Sequence, residues 1–366
     1  MRLIFFSLII FGFASWNELW HSGWPNLRRA RGNHASLQLA NGGHLKLSQP
    51  VPPQLANRLS TPLQFSINNS ISASQPPASR LSLHEYIQHL ADSVHAEIGV
   101  AFRDLETGKE FFFNEKQMMH AASTMKVPVM IEVFRQAEKD NSPGFRLDDS
   151  LPIKNEFKSI VDGSPYQLDM SDDSDSSMYR AIGTKLTIRR LVEQMITVSS
   201  NLATNILIEL AGAENVMATL RELGIRNMQV RRGVEDGKAY NLGLNNQTDA
   251  FDMMLALQAI AERRAASPIA CDSMLAILTR QKFRDGIPAG LPKEIVVGNK
   301  TGSITAIAHD CAIVFPENQV SVKKPNAARK PYVLAVLTRG IQEEKTANRV
   351  IAAISRKIYS GLMTSL

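Results

Sequence analysis

The sequence predicts an α/β fold of the α+β sandwich type, with an antiparallel β-sheet flanked by N- and C-terminal helices and an inserted all-α lobe. Three observations predict it. Strand-type runs lie near both ends of residues 81–366, an apolar helical pattern fills roughly 120–285 between them, and a helical pattern stands at each end of the region. Because the two sets of strands can join in one sheet, the helical stretch becomes a second lobe. A functional site is expected in the cleft between the lobes.

The elements follow in order from Leu81. Ser82 and Glu85 form a capping-box pattern at the start of the first helix. The predicted helices cover 82–91, a segment from Ser123 onward, 187–195, 202–211, 213–223, 250–265, 269–281 and 345–359. The predicted strands cover 97–103, 110–113, 295–297 continuing into the Lys300 region, 312–315 and 332–338. Residues 154–183 form a polar stretch, and the acidic tract from Ser171 to Ser177 within it is predicted as a solvated loop. Residues 231–246 are also predicted as a loop.

The net charge of +6 does not indicate a nucleic-acid partner. Residues 1–80 carry seven of the basic residues and one acid, which leaves 34 basic and 34 acidic residues in 81–366. The basicity therefore belongs to the leader and not to the body. No nucleic acid is predicted as a partner.

The N-terminus reads as a targeting segment. Arg2 precedes an apolar run from Leu3 to Ala14, which predicts a signal peptide or a short anchor over residues 1–14. Three tryptophans follow the run, so membrane association through the N-terminus stays open. Residues 15–80 are polar, without apolar periodicity, and are predicted to be a disordered tether. The protein is expected to be exported, periplasmic or secreted, and monomeric.

The chain has two cysteines, Cys271 and Cys311. No C-x-x-C motif and no His/Cys cluster accompanies them, so neither a metal nor another cofactor is predicted. The two can pair in an oxidising compartment, but the sequence favours two separately buried thiols.

A serine three residues ahead of a lysine, Ser123 and Lys126, opens a strongly apolar segment. On a helix these positions share a face, so the ammonium can approach the hydroxyl. A serine nucleophile needs a base, and a lysine can be that base when its surroundings lower its pKa. The pair predicts an acyl-transfer nucleophile with its base. The spacing alone is not specific, because Ser321 and Lys324 repeat it in a polar stretch.

A second signal is Ser199 and Asn201, at the start of a predicted helix, 76 residues beyond Ser123. Ser199 is a candidate proton relay, and the Asn201 amide is a candidate contact for a substrate carbonyl. The alternative is plain helix capping by Ser199 or Ser200.

A third signal is the segment Lys300-Thr301-Gly302-Ser303, which enters a strand. Lys300 and Thr301 are candidates to hold a substrate carboxylate, and Gly302 lets a substrate lie against the strand. The Ser303 amide can join the Ser123 amide in an oxyanion hole. The alternative is a strand edge with a surface lysine.

Glu235 is the fourth candidate, 36 residues beyond Ser199. A carboxylate in a loop can activate the water that hydrolyses an acyl-serine. The alternative is a loop carboxylate paired with Arg231 or Arg232.

Taken together, the S-x-x-K motif at Ser123, the S-x-N motif at Ser199 and the K-T-G motif at Lys300 resemble the signature set of class A β-lactamases and penicillin-binding proteins. The resemblance covers roughly residues 81–366 and implies the β-lactamase/transpeptidase-like fold. The roles it implies are Ser123 as the acylated nucleophile, Lys126 as base or base partner, Ser199 as proton shuttle to the leaving nitrogen, Asn201 and Thr301 as substrate contacts, and Lys300 as the charge facing the substrate carboxylate.

The sequence departs from that pattern at three places. Ser200 stands at the middle of the family's S-D-N motif. The residues after Glu235 do not follow the family's E-x-x-L-N pattern. His309 and Asp310 stand in the strand where an arginine is often found.

The predicted function is a class A-type serine β-lactamase that hydrolyses the β-lactam amide through an acyl-Ser123 intermediate. The predicted partner is a small-molecule β-lactam or a peptidoglycan-like substrate. One alternative is a D,D-peptidase or an esterase-like hydrolase with the same residues. The other is a non-catalytic penicillin-binding module.

Overall fold

A computed structural model describes residues 81–139, 144–316 and 330–364. The predicted signal peptide, the tether and the Ser321–Lys324 repeat of the serine-lysine spacing lie outside the described residues. Among the described residues, none of the helices combines the length and apolar composition needed to cross a bilayer.

The four longest strands lie near the two ends of the described chain, one at its start and three at its end, and most of the helices and the shorter strands lie between them. The helices are α1 (Leu83–Ser93), α2 (Lys126–Glu138), α3 (Ser177–Arg180), α4 (Ile188–Thr197), α5 (Asn201–Ala211), α6 (Ala213–Glu222), α7 (Gly237–Asn241), α8 (Ala250–Ala261), α9 (Pro268–Leu278) and α10 (Glu344–Thr364). The strands are β1 (Glu97–Asp104), β2 (Glu110–Phe113), β3 (Met119–His120), β4 (Ser150–Pro152), β5 (Phe157–Lys158), β6 (Pro165–Tyr166), β7 (Lys185–Thr187), β8 (Gln247–Thr248), β9 (Val296–Ile304), β10 (Ile307–Phe315) and β11 (Tyr332–Arg339).

Within the described residues, five strands form the main sheet in the order β2-β1-β11-β10-β9, and all neighbours are antiparallel. The first and last parts of the chain therefore meet in one sheet. The predicted fold class, an antiparallel sheet with flanking helices and an inserted helical lobe, is confirmed.

Both faces of the sheet are buried. On β11, Leu334 and Val336 join one apolar cluster together with residues of α1 and α10. Ala335 and Leu337 point to the other face and join the larger cluster of the helical lobe. A strand buried on both faces reads as a continuous apolar run, and this explains the composition of β11.

Helix α2 passes through the middle of the helical lobe. It is buried on all sides over most of its length, from Lys126 to Phe134. A helix with apolar residues around its whole circumference is typical of such a position. Its first residue, Lys126, is therefore carried into the interior.

Several predicted boundaries were wrong. Strand β10 begins at Ile307, five residues before the predicted start, because its polar residues His309 and Asp310 are buried with hydrogen-bond partners. The predicted loop 231–246 contains α7, which Asp236 caps by accepting the Ala239 N–H. The polar stretch 154–183, for which no helix or strand was predicted, contains β5, β6 and α3.

The acidic tract from Ser171 to Ser177 was predicted to be a solvated loop, but part of it is buried. Asp173 and Asp175 are each 8% exposed, and their carboxylates accept backbone N–H groups. Cys271 and Cys311 are both free, buried thiols. The favoured interpretation of the cysteines is confirmed.

Candidate active site

Ser123 lies in a 3₁₀ turn, Ala122–Met125, that leads directly into α2. Ala122 has a φ of 45°, a conformation that residues other than glycine rarely adopt. Two hydrogen bonds hold the backbone there. Ala121 N–H donates to Asn246 O at 2.9 Å, and Ala122 N–H donates to His120 Nδ1 at 3.0 Å. The turn thus presents the serine at the cleft in a fixed backbone geometry.

Lys126 is fully buried, and its ammonium points to the start of α5. Its Nζ donates to Ser199 O at 2.7 Å, to Ser199 Oγ at 3.2 Å and to Asn201 Oδ1 at 2.9 Å. In the described part of the chain no hydrogen bond joins Lys126 Nζ to Ser123 Oγ, so the expected direct contact is not formed. The physical reason is that three acceptors at the start of α5 already satisfy the three donors of the ammonium.

Ser199 lies between two buried lysines. Its Oγ accepts from Lys126 Nζ at 3.2 Å and from Lys300 Nζ at 3.0 Å. Lys300 is fully buried, so the alternative of a surface lysine is wrong. The segment Lys300-Thr301-Gly302-Ser303 lies on β9, which forms the sheet side of the cleft.

Burial depresses the pKa of both lysines. It lowers the pKa of Lys126 to about 7, against the opposing effect of the nearby Asp173 and Glu235 carboxylates. Burial, with the charge of Lys126, also lowers the pKa of Lys300. Because both ammonium groups share one acceptor oxygen, their repulsion favours a state in which one lysine is neutral. A neutral lysine beside Ser199 is a base available at neutral pH.

Asn201 connects Lys126 to Glu235. While its Oδ1 accepts from Lys126, its Nδ2 donates to Glu235 Oε1 at 2.8 Å. The capping role considered for Ser199 or Ser200 belongs to Ser200, which accepts the Ala203 N–H at 3.2 Å. Ser199 does not cap the helix.

Glu235 is half-buried, and its backbone has a φ of 60°. Its second oxygen, Oε2, accepts the Asp169 N–H at 3.1 Å. Burial raises the pKa of the Glu235 carboxyl, and these two hydrogen bonds oppose that rise. The alternative pairing with Arg231 or Arg232 is wrong. Arg231 donates to Gln229 Oε1, and Arg232 donates to Leu244 O and Asn245 Oδ1.

Gly302 lets β9 approach the serine turn itself. A Cβ on Gly302 would lie 2.8 Å from Ser123 N and 2.9 Å from Thr124 N. The sequence predicted a role toward the substrate, whereas the structure adds a closer one toward the backbone of the nucleophile. The glycine keeps the Ser303 and Ser123 segments side by side.

The cleft opens on both sides of Ser123. One cavity, of about 300 Å³, extends past Ser199 and Thr301 toward His309. The other, of about 550 Å³, extends past Asn201 and Glu235. Ser123 and Ser303 line both cavities, so all the predicted site residues either border this cleft or lie directly beneath it.

Three residues hold this site although the sequence predicted no role for them: Asn205, His309 and Asp310. Asn205, one turn beyond Asn201 on α5, accepts the Val234 N–H at 2.7 Å and donates to Val234 O at 3.0 Å. It fixes the residue next to Glu235, and the N-x-x-x-N spacing on one helix face was the available signal.

His309 holds the other side of the site. Its Nδ1 accepts the Thr338 N–H at 3.2 Å, so its Nε2 carries the proton and donates to His120 O at 2.9 Å. Burial lowers the pKa of His309 to about 4. The neutral ring ties β10 and β11 to the strand that precedes the serine turn.

Asp310 is the third residue for which the sequence predicted no role. It accepts from Asn299 Nδ2 at 3.0 Å and from Ile287 N–H at 2.8 Å. Burial raises the pKa of Asp310 to about 6, although Lys300 acts in the opposite direction. Asp310 thus places a carboxyl group close to the buried Lys300.

This fold and this site define a serine hydrolase of the class A β-lactamase-like type. The model of the family described as "Beta-lactamase enzyme family" matches residues 82–362. The chain belongs to that family.

Three curated relatives are similar over different lengths. β-Lactamase AST-1 of Nocardia asteroides is 30% identical over 186 residues, covering 50% of this chain and 57% of the relative. β-Lactamase CTX-M-97 of Escherichia coli is 24% identical over 76% of this chain and 88% of its own length. β-Lactamase ROB-1 of Haemophilus influenzae is 25% identical over 79% of this chain and 87% of its own length.

Solved structures agree with the fold. A β-lactamase from Sphaerobacter thermophilus has a TM-score of 0.61 and 26% identity, covering 76% of this chain and 97% of that one. PBP-A has a TM-score of 0.61 and 23% identity over 76% of this chain and 96% of its own, which bears on the fold alone. The chain is a hydrolase of serine β-lactamase type.

Proposed function

We propose that the protein is a class A-type serine β-lactamase that opens the β-lactam amide through an acyl-Ser123 intermediate. One observation carries the proposal. The side-chain nitrogens of two buried lysines, Lys126 and Lys300, converge on Ser199 Oγ, which lines the same cleft as Ser123. This arrangement supplies a base and a proton path beside a nucleophile.

In the acylation step, Ser123 Oγ attacks the β-lactam carbonyl as its proton passes to neutral Lys126. The carbonyl oxygen becomes an oxyanion that the N–H groups of Ser123 and Ser303 stabilise. The C–N bond then breaks, and Ser199 delivers a proton to the leaving nitrogen, replenished from the lysine pair. Thr301 and Lys300 offer a hydroxyl and a positive charge to the substrate carboxylate.

In the deacylation step, Glu235 removes a proton from water, and the resulting hydroxide attacks the acyl carbon. The ester C–O bond to Ser123 then breaks, and the proton held by Glu235 returns to Ser123 Oγ, which regenerates both groups. A raised pKa suits this carboxylate to general-base catalysis near neutral pH. Asn201 orients Glu235 through its amide. Of the residues that follow Glu235, Asp236 caps α7 and Lys238 pairs with Asp162, so neither is available for the water. Ala239 stands at the place of the asparagine in the E-x-x-L-N pattern, so we expect deacylation to be the slow step.

Hydrolysis of a chromogenic cephalosporin tests this function. The wild-type protein should hydrolyse it with an initial burst, because acylation precedes the slower deacylation. Glu235→Gln should keep the burst and lose the steady phase, and Ser123→Ala should lose both. A burst without turnover in the wild type would favour the penicillin-binding or D,D-peptidase alternative. Absence of both phases would exclude the β-lactamase function.

We also propose that the protein is exported through its N-terminal 14 residues. The support is the positive start and apolar run of that segment. Fractionation of bacterial cells that express the full chain should recover it outside the cytoplasm. A variant with charged residues in the apolar run should stay inside, and equal recovery of both variants outside would contradict export.

A further inference from the structure

The start of α5 is held by a carboxylate from a distant loop. Ser200, at the place of the family's aspartate, accepts an N–H of its own helix. Asp173, 27 residues earlier than Ser200 in the chain, is 8% exposed, and its Oδ2 accepts the N–H groups of both Asn201 and Leu202, each at 2.9 Å. A carboxylate that accepts the first N–H groups of a helix stabilises its N-terminus.

The loop that carries Asp173 is fastened to the same place by other contacts. Asp173 Oδ1 accepts the Asp175 N–H at 2.9 Å. Ser174 Oγ donates to Val198 O at 2.6 Å and to Ser199 O at 3.3 Å. The acidic tract therefore lies directly on the segment that carries the proton relay Ser199 and the amide of Asn201.

We propose that Asp173 is a positioning residue of this active site, which fixes the start of α5 and supplies a buried negative charge to Lys126 in place of the missing acid of the S-D-N motif. The proposal rests on the proposed function, because it deepens the acylation step. Asp173 is joined to Lys126 through a single residue. Asn201 N–H donates to Asp173, and Asn201 Oδ1 accepts from Lys126 Nζ.

The charges around Lys126 fix the sign of the effect. Asp173 and Glu235 stabilise its ammonium form, whereas a charged Lys300 opposes that form. The Asp310 carboxyl lies close to Lys300 and offsets part of the charge of Lys300. Lys126 acts as a base only when neutral. Removing the negative charge of Asp173 disfavours the ammonium, so the pKa of Lys126 falls and the base stays available at lower pH.

The test is the pH dependence of Ser123 acylation by a penicillin, measured by rapid quenching and intact-protein mass spectrometry. Asp173→Asn keeps an acceptor for the two N–H groups and removes the charge. The acid limb of the pH–rate profile is the range in which acylation slows because Lys126 becomes protonated. In Asp173→Asn this limb should shift to lower pH by about one unit, the size of effect that a nearby opposite charge produces. Removing the same charge also lowers the pKa of Glu235, so acylation is measured separately from deacylation.

Asp175→Asn is the matched control. Asp175 lies in the same tract with the same exposure of 8%, but its side chain bonds Gln194 and Ser177 instead of α5. It should lose stability comparably and keep the wild-type acid limb. The proposal would be overturned if the acid limb lies at the same pH in the wild type and both variants, or if both variants shift it equally.

Two further variants keep the test decisive. Ser200→Asp added to Asp173→Asn restores a carboxylate at the start of α5 and should return the limb toward the wild-type position. Asp173→Ser, which retains a short acceptor, takes the place of Asp173→Asn if that variant does not fold. Failure of the wild type to acylate would count against the proposed function itself, whereas acylation with an unmoved limb would count against Asp173 alone.

Discussion

Replacement of Gly302 by alanine tests the packing of β9 against the nucleophile. The added Cβ would lie 2.8 Å from Ser123 N and 2.9 Å from Thr124 N. Those are backbone atoms of the serine turn, so the contact cannot be relieved by rotating a side chain. The strand and the turn must separate by about 0.6 Å to reach an ordinary contact of 3.4 Å.

The expected cost falls mainly on catalysis. Gly302 does not have a positive φ, so alanine adds no backbone strain there. Overpacking of this kind costs about 1–3 kcal/mol of stability. A displacement of about half an ångström between Ser123 and the Ser303 amide should slow acylation on the order of 10- to 100-fold, since misplacement by 1 Å can cost about 100-fold.

Gly298→Ala is the control on the same strand. Its Cβ would lie 3.2 Å from Leu278 Cβ and 3.4 Å from Leu275 Cδ1. The first contact needs a shift of only about 0.2 Å to reach an ordinary 3.4 Å, and the second needs none. The acylation rate with a chromogenic cephalosporin and the melting temperature should be measured for both variants. Gly298→Ala should stay within about threefold of the wild-type rate. If Gly302→Ala acylates at the wild-type rate, or if both variants lose the same fraction of that rate, close packing of Gly302 against the serine turn does not set the acylation rate.

Three other changes test separate parts of the site. His309→Gln retains a donor toward His120 O, so its acylation rate should stay within about threefold of wild type. His309→Asn retains only the acceptor for Thr338 N–H, so its acylation rate should fall about tenfold, the value of one hydrogen bond. Equal rates in the two variants would contradict the role of the Nε2 donor. Asn205→Ala frees Val234 beside Glu235, so the acyl-enzyme should persist longer while acylation changes less; a greater loss in acylation would argue against this role. The acylation rate of the wild type should fall as the pH drops below about 7, because Lys126 becomes protonated there. An acylation rate that does not change between about pH 5 and 9 would contradict Lys126 as the base.

The fold could be predicted because its elements carry local signals. Strand β11 is a continuous apolar run, and α1 begins with the Ser82 capping box that the structure contains. The early start of β10 could not be predicted, because Ala308-His309-Asp310 reads as polar. Its burial depends on partners from β3, β11 and the segment before β9, which only the folded chain brings together.

The candidate site was predictable in its motifs but not in its connections. The order of Ser123, Ser199 and Lys300 indicated three segments that meet, and the cleft contains them. The bond from Asp173 to the start of α5 closes a loop of more than 25 residues, and no local pattern marks such a pair. For the same reason the contact of Lys126 was assigned to Ser123, its neighbour in sequence, although its partners lie more than 70 residues away.

Intact-protein mass spectrometry of the wild-type protein mixed with a penicillin, followed from seconds to hours, tests the central claim most directly. We predict an adduct of the mass of the intact penicillin, located on Ser123 by peptide mapping, that disappears as hydrolysed penicillin accumulates. Hydrolysis without any adduct, or an adduct on another residue, would contradict acyl transfer through Ser123.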